Sequence, residues 1–276
     1  MKLNLSSLTE LQQRVVAGGL GAILIVGALY WNEWTYFAVF FLICGLAIWE
    51  FYQLLGLDGN LPLRTFGTIN GLILFTLTFL VEKYKLNPEL YFLVFISGSG
   101  VYFIKLYVKK DDKPFRNIAY TFLGIIYVAV PFSLLNMAIF INHHYSYQVI
   151  IGALFILWAS DTGAYFSGRA FGKHKLFLRV SPKKTWEGSI GGSLFALLVS
   201  FGVSLIFKDL QIWQWLCTAV IIAVAGTYGD LVESLFKRSI QIKDSGNSIP
   251  GHGGFLDRFD SLLLAAPFIV AFVRLV

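Results

Sequence analysis

The sequence predicts an all-α, polytopic membrane protein with about nine transmembrane helices, on three observations. First, 57% of its 276 residues are apolar and only 14% are charged. The mean hydropathy of +0.69 lies far outside the usual range for a soluble globular domain. Second, most of the chain divides into continuous apolar runs near the roughly 20 residues that a helix needs to cross about 30 Å of hydrocarbon. Third, those runs lack the alternating character of barrel strands.

The runs are 15–30, 34–55, 65–81, 90–108, 118–141, 149–167, 188–207, 212–236 and 259–276. The first lies near the N-terminus, but no small-residue cleavage site follows and a second run comes at once, so a cleaved signal peptide is not expected. The second and eighth hold the two cysteines, Cys44 and Cys217. Within spans neither suits a disulfide framework or a four-ligand zinc site, and both read as apolar filler. The loop after the third carries little beyond Lys83 and Lys85, and the loop after the seventh little beyond Lys208. Basic residues concentrate elsewhere: Lys105, Lys109, Lys110, Lys113 and Arg116 around the loop after the fourth run, then Arg169, Lys173, Lys175, Arg179, Lys183 and Lys184 after the sixth. Lys237, Arg238, Lys243 and Arg258 follow the eighth. The positive-inside rule puts these loops and the N-terminus in the cytoplasm and the C-terminus outside. No solenoid or inverted repeat is visible, and residues 1–276 read as one membrane domain.

Ionisable groups within spans are costly and by default face a bundle interior or a water-filled cavity. The sixth run contains Asp161, toward its cytoplasmic end. The eighth contains Asp230 and Glu233, whose spacing puts both on one helical face, and Asp257 and Asp260 repeat that spacing at the start of the ninth. Carboxylates on two neighbouring helices form an oxygen-ligand set suited to Mg²⁺, which is commonly held by one or two carboxylates plus substrate phosphates. Asp260 either joins this set or caps its helix. In "SPKKTWEG", Ser181, Lys183, Lys184 and Thr185 stand where the seventh helix begins, and its free amides and dipole favour an anion there. "KRSIQIKDSG" adds Lys237, Arg238 and Lys243, and the glycines from Gly246 to Gly254 let backbone approach a ligand closely. Carboxylates, fixed cations and exposed amides together suit a metal-bound polyphosphate. His252 fits a proton shuttle, a phosphate donor or a structural turn residue.

The stretch "SLFKRSIQIKDSGNSIPGHGGFLDRFD", 234–260, resembles the signature of the phosphatidate cytidylyltransferases, or CDP-diacylglycerol synthases. Its Lys-Arg, Lys-Asp, His-Gly-Gly and Asp-Arg-x-Asp elements are all present. Upstream, "SDTGAYFSGRAFGKHK" and "SPKKTWEGSIGG" resemble the family's other cytoplasmic-side segments, so the catalytic region is expected at about 158–261. The long polar N-terminal extension of eukaryotic members is not seen, which points to the short bacterial type. The resemblance implies that CTP and phosphatidate react to give CDP-diacylglycerol and pyrophosphate, on a homodimeric multi-pass protein of the bacterial inner membrane with its active site on the cytoplasmic side. It implies Mg²⁺, with a second monovalent or divalent cation compatible, and no nucleic-acid partner. By matching positions, Asp230 and Asp257 are the expected metal ligands, acting with Lys237, Lys243 and Asp260 in catalysis. Arg238 and Arg258 are expected on the phosphates, with Asp161, Ser181, Lys183, Lys184, Thr185, Asp244, His252 and Gly253 around the substrates.

A lipid phosphate is already an anion and needs no strong base to attack the α-phosphorus of CTP. It needs relief from charge repulsion and stabilisation of the leaving pyrophosphate, so direct in-line displacement without a covalent enzyme intermediate is expected. Two rivals stand beside this reading. One is a CTP-dependent polyprenol or phytol kinase, against which the complete motif argues. The other is an ion or anion transporter, which would more naturally place its carboxylates at the bilayer midplane.

Overall fold

Each of the nine apolar runs folds as a helix in the computed structural model, which describes residues 10–141, 144–242 and 253–276. Lys243, Asp244 and His252 lie outside the described residues. In chain order the helices are α1 (Glu10–Trp31), α2 (Glu33–Leu57), α3 (Arg64–Tyr84), α4 (Pro88–Tyr107), α5 (Pro114–Ile139), α6 (Gln148–Phe171), α7 (Trp186–Ile206), α8 (Ile212–Ser239) and α9 (Leu256–Leu275). Among the described residues, the seven from α2 to α8 are long and apolar enough to cross a membrane. The apolar stretch of α1, Gly18–Trp31, is shorter. The long helix α9 carries Asp257, Arg258, Asp260 and Arg274, and this charge keeps it out of that set.

Local chemistry explains where the helices break. Between α1 and α2 the Asn32 side chain accepts from the amides of Trp34 at 2.8 Å and Thr35 at 3.0 Å, while Thr35 Oγ1 accepts from the Asn32 amide at 3.2 Å. This reciprocal cap satisfies amides that a new helix would otherwise leave open. Both α5 and α8 contain a wider π-helical segment, Ile125–Ala129 and Ile222–Gly226 respectively. Such segments often sit beside functional sites.

The loop after the sixth run is an ordered antiparallel hairpin, which hydropathy did not indicate. Its strands are β1 (Lys175–Phe177) and β2 (Ser181–Thr185), with Lys175 opposite Thr185 and Phe177 opposite Ser181. Thr185 then caps α7, its hydroxyl oxygen accepting from Gly188 N at 3.2 Å. Glu187 clamps the other side by accepting from the amides of Lys173 at 3.1 Å and His174 at 3.2 Å.

Helices α6 and α7 touch through small residues. A Cβ added at Gly192 would lie 2.7 Å from the Ser160 carbonyl oxygen, so only glycine permits this approach. The same holds between α8 and α9, where a Cβ at Gly229 would meet the Asp260 carbonyl oxygen at 2.6 Å. Close backbone contact at small residues is a common way to join helices in lipid, where apolar burial gives little drive for association. In the N-terminal half a buried polar group does similar work. Asn136 of α5 donates to Phe75 O at 3.0 Å and Thr78 Oγ1 at 2.8 Å on α3, and accepts from the Tyr36 hydroxyl of α2 at 2.8 Å.

The glycine seam gives a direct test. Gly192→Ala is expected to destabilise the detergent-solubilised protein by about 1–3 kcal/mol through overpacking. Gly202→Ala on the same helix, where an added Cβ meets nothing within 4 Å, should be neutral or slightly stabilising because alanine is the better helix former. Thermal unfolding of the two variants side by side measures the difference.

Candidate active site

The seam between α6 and α7 and the contact between α8 and α9 place four helices and the hairpin around one polar cavity of about 570 Å³. Asp161 and Arg169 reach it from α6, Lys183 and Lys184 from β2, Asp230 from α8, and Asp257 and Asp260 from α9. Of the site residues read from the sequence, Asp161, Lys183, Lys184, Thr185, Asp230, Asp257 and Asp260 line this one space. Ser181, Lys237 and Arg238 line an adjoining pocket of about 370 Å³ that shares Lys183. Arg258 lines a third cavity, described below. Gly253 has φ +83°, a backbone conformation that suits glycine and few other residues.

The charges are paired across elements. Lys184 forms an ion pair with Asp230, and its ammonium also lies 3.4 Å from the Thr227 carbonyl oxygen. Lys237 bridges two helices, 2.7 Å from Glu233 Oε2 and 2.8 Å from Asp257 Oδ1. The second oxygen of Asp257 accepts from the Gly254 amide at 3.3 Å. Asp260 accepts from the Ser261 amide at 2.6 Å. Breaking a buried pair by removing one partner costs about 3–5 kcal/mol, so the two contacts of Lys237 also hold the ends of α8 and α9 together, while the more exposed Lys184–Asp230 pair contributes less.

Asp230, Glu233 and Asp260 each offer an oxygen, all within 4.8 Å of one another. Glu233 is only 1% exposed, and its Oε2 lies 2.7 Å from the ammonium of Lys237. A hard divalent cation wants such a set of converging oxygens, so the residues fit a metal. The family resemblance paired Asp230 with Asp257 for this purpose. The structure groups Asp230 with Glu233 and Asp260, and holds Asp257 beside them on Lys237. Glu233 is at once a partner of Lys237 and a member of the carboxylate group.

A third cavity, of about 520 Å³, is mainly apolar. Gly18, Gly21 and Leu24 of α1, Leu157 and Trp158 of α6, and Phe259 of α9 form much of its wall. It meets the polar cavity at Asp161, Asp257 and Asp260, which line both. Composition gave no sign of it, because its wall comes from helices distant in sequence. Two further residues escaped the sequence reading. Arg169 had counted only as a basic loop residue, yet it lines the polar cavity. Glu50, an acid within the second apolar run, is 5% exposed and accepts from backbone amides at the start of α9. The signal that singled out Asp161, a carboxylate inside a span, was equally present at Glu50.

Comparison with known proteins bears on what this arrangement does. Phosphatidate cytidylyltransferases of Staphylococcus haemolyticus and Staphylococcus saprophyticus are each 42% identical to the chain over 164 residues, and that of Staphylococcus aureus is 40% identical over the same length. Each alignment covers 59% of this chain and 61% of the relative, so the chain is matched to about three fifths of the length of these curated relatives. The profile of the cytidylyltransferase family reaches much further, matching residues 12–276, and on that match the chain belongs to the cytidylyltransferase family.

Proposed function

We propose that the protein is a phosphatidate cytidylyltransferase, transferring the cytidylyl group of CTP to phosphatidate to give CDP-diacylglycerol and pyrophosphate. The observation that carries this reading is the junction of two unlike cavities at Asp161, Asp257 and Asp260. The polar cavity, with Lys183, Lys184 and Arg169 in its wall, suits a nucleoside triphosphate. The apolar one suits the hydrocarbon part of a lipid, whose phosphate then stands at the junction. The named activity of the staphylococcal relatives supports the same reaction.

In the proposed mechanism a phosphate oxygen of the lipid attacks the α-phosphorus of CTP, a new P–O bond forms, and the bond to the bridging oxygen of the β-phosphate breaks in line with it. The electron pair leaves with pyrophosphate, and no proton has to be removed from the attacking group. The work of the chain is electrostatic: fixed cations offset repulsion between anions and stabilise charge on the leaving group. Lys183 and Lys184 serve the phosphates from the hairpin, Lys237 and Arg238 from the end of α8, and Arg258 from α9. In this reading Lys243 acts with them, and Asp244, His252 and Gly253 complete the surroundings of the substrates. Asp230 and Asp257 would hold Mg²⁺ in this reading, and Glu233 and Asp260, which converge on Asp230, would share it or hold a second cation. When bound, Mg²⁺ supplies neutralisation of phosphate charge. The basic loops support a cytoplasmic N-terminus, an external C-terminus and a cytoplasmic-side site in a bacterial inner membrane. Nine spans in one membrane domain and a homodimer complete the proposal, the latter on the family resemblance.

Four measurements test it. Purified protein given CTP, phosphatidate and Mg²⁺ should yield CDP-diacylglycerol, identified by mass. Asp257→Asn should lower kcat at least about 100-fold, assayed well below its unfolding temperature because the variant also loses the ion pair to Lys237. A wild-type protein inactive on phosphatidate but phosphorylating a polyprenol would replace this reading with a kinase. With radiolabelled CTP and no lipid, the denatured protein should carry no covalent label, since no nucleotidyl-enzyme lies on the path. Finally, Gly21→Trp should intrude on the apolar cavity and raise the KM for phosphatidate about tenfold, equivalent to roughly 1.4 kcal/mol, with the KM for CTP unchanged. An equal rise in both would separate the apolar cavity from the lipid.

A further inference from the structure

Helix α9 begins without a cap of its own. Phe255, at the cap position, has φ −66° and ψ −38° and gives no side-chain hydrogen bond to the helix start. The two residues before it are glycines. A helix start leaves its first amides without intrahelical acceptors, and buried amides of this kind require partners. Here the acceptor comes from α2, some 205 residues away in sequence. Phe255 N donates to Glu50 Oε2 at 2.9 Å and Leu256 N to Glu50 Oε1 at 3.3 Å. The residue after Glu50 makes a second connection: Phe51 stacks on Phe236 of α8, with ring centroids 4.9 Å apart and planes inclined by 23°. One turn of α2 therefore contacts both helices that bear the carboxylate cluster. It does so next to Asp257 on α9 and next to Lys237 on α8.

A carboxylate in an apolar run is costly, and the positive end of a helix is one of the places that stabilise it. The amides of three consecutive residues at this turn are shared between two acids. Gly254 N goes to Asp257 Oδ2 at 3.3 Å, while Phe255 N and Leu256 N go to Glu50. If Glu50 were removed, Asp257 would be an acid of the same turn within reach of the freed amides. Each bond it made there would draw it from Lys237 and from the cavity. We propose that Glu50 is a positioning residue, which by satisfying the first amides of α9 keeps Asp257 on Lys237 and Asp260 beside Asp230 and Glu233. Its consequence for turnover rests on the cytidylyltransferase reading; its consequence for the start of α9 does not.

The experiment compares wild type with Glu50→Ala and Glu50→Gln in two measurements. In steady-state turnover of CTP and phosphatidate, Glu50→Ala should lose about 100-fold in kcat, the scale of a displacement near 1 Å. The KM for CTP should stay within about threefold, and the Mg²⁺ concentration for half-maximal rate should rise. Glu50→Gln keeps the length and one acceptor oxygen and should recover at least about tenfold of that loss. In hydrogen exchange, peptides covering 254–260 should lose protection in Glu50→Ala while peptides of α2 keep theirs. Wild-type kcat together with wild-type protection in Glu50→Ala overturns the proposal, as does a loss of protection that leaves kcat unchanged. Loss of protection spread evenly over the whole protein also overturns it, because that marks a general stabilising role. If Glu50→Ala does not accumulate, Glu50→Gln decides by the same criteria. If wild type does not act on phosphatidate, the functional reading fails by itself, and the exchange measurement alone decides whether Glu50 orders the start of α9.

Discussion

Charge placed among apolar helices has to be neutralised by other charge, and the polar end of this helix bundle is arranged around that requirement. An uncompensated ion in a low-dielectric interior costs several kcal/mol. Asp161, Asp230, Glu233, Asp257 and Asp260 nevertheless gather in one region. The chain answers with cations brought from other elements, Lys184 from the hairpin to Asp230 and Lys237 shared between Glu233 and Asp257. These pairs tie β2 to α8 and α8 to α9. The contacts that hold the region together are therefore the ones a polyphosphate would enter, since its oxygens compete with the carboxylates for the same lysines.

Residues without reactive chemistry decide where those charges stand. Gly229 lets the backbone of α8 approach that of α9 at Asp260, which brings Asp230, one residue on, within reach of Asp260. Thr185 ends the hairpin and begins α7 in a single residue, so the position of Lys184 is set by a helix cap rather than by a free loop. Gly192 keeps α7 against α6 near Ser160, the neighbour of Asp161. A substitution at any of these positions moves a charge without touching one.

What could be read from the sequence follows the range of the interactions involved. Helices in an apolar surrounding are fixed by local hydrogen bonding and hydropathy, so all nine runs were legible, with boundaries differing by a few residues. The i, i+3 spacing of Asp230 and Glu233, and of Asp257 and Asp260, is also local, and it correctly put each pair on one helix face. The grouping of Asp230, Glu233 and Asp260 depends instead on how closely α8 approaches α9, which spacing does not report, and it was the family resemblance that named Asp257 with Asp230. The hairpin was hidden because its short strands alternate charged, polar and apolar residues like a solvated loop. Glu50 was visible as an acid in a span, but its partner lies 205 positions away, and no periodicity reports a contact of that range. Lys243, Asp244 and His252 fall outside the described residues, so the motif between α8 and α9 is represented there by Gly253 to Asp260.

On the proposed reaction, the junction of the two cavities has a consequence for which residues can be tuned separately. An anionic acceptor and an anionic donor can meet only where charge compensation is densest, because their repulsion grows as water is excluded. In this fold the boundary between polar and apolar space carries three acids, so anions meeting there would depend on a bound cation and on the lysines of the polar cavity for compensation. Asp161, Asp257 and Asp260 line both cavities, so a change at any of them alters the surroundings of both substrates at once. The far wall of each cavity is different. Gly18 and Gly21 belong only to the apolar side and Lys184 and Arg169 only to the polar side. Lipid selectivity is therefore free to vary through α1 while nucleotide contacts on α6 and the hairpin stay fixed. The carboxylates between them have no such freedom.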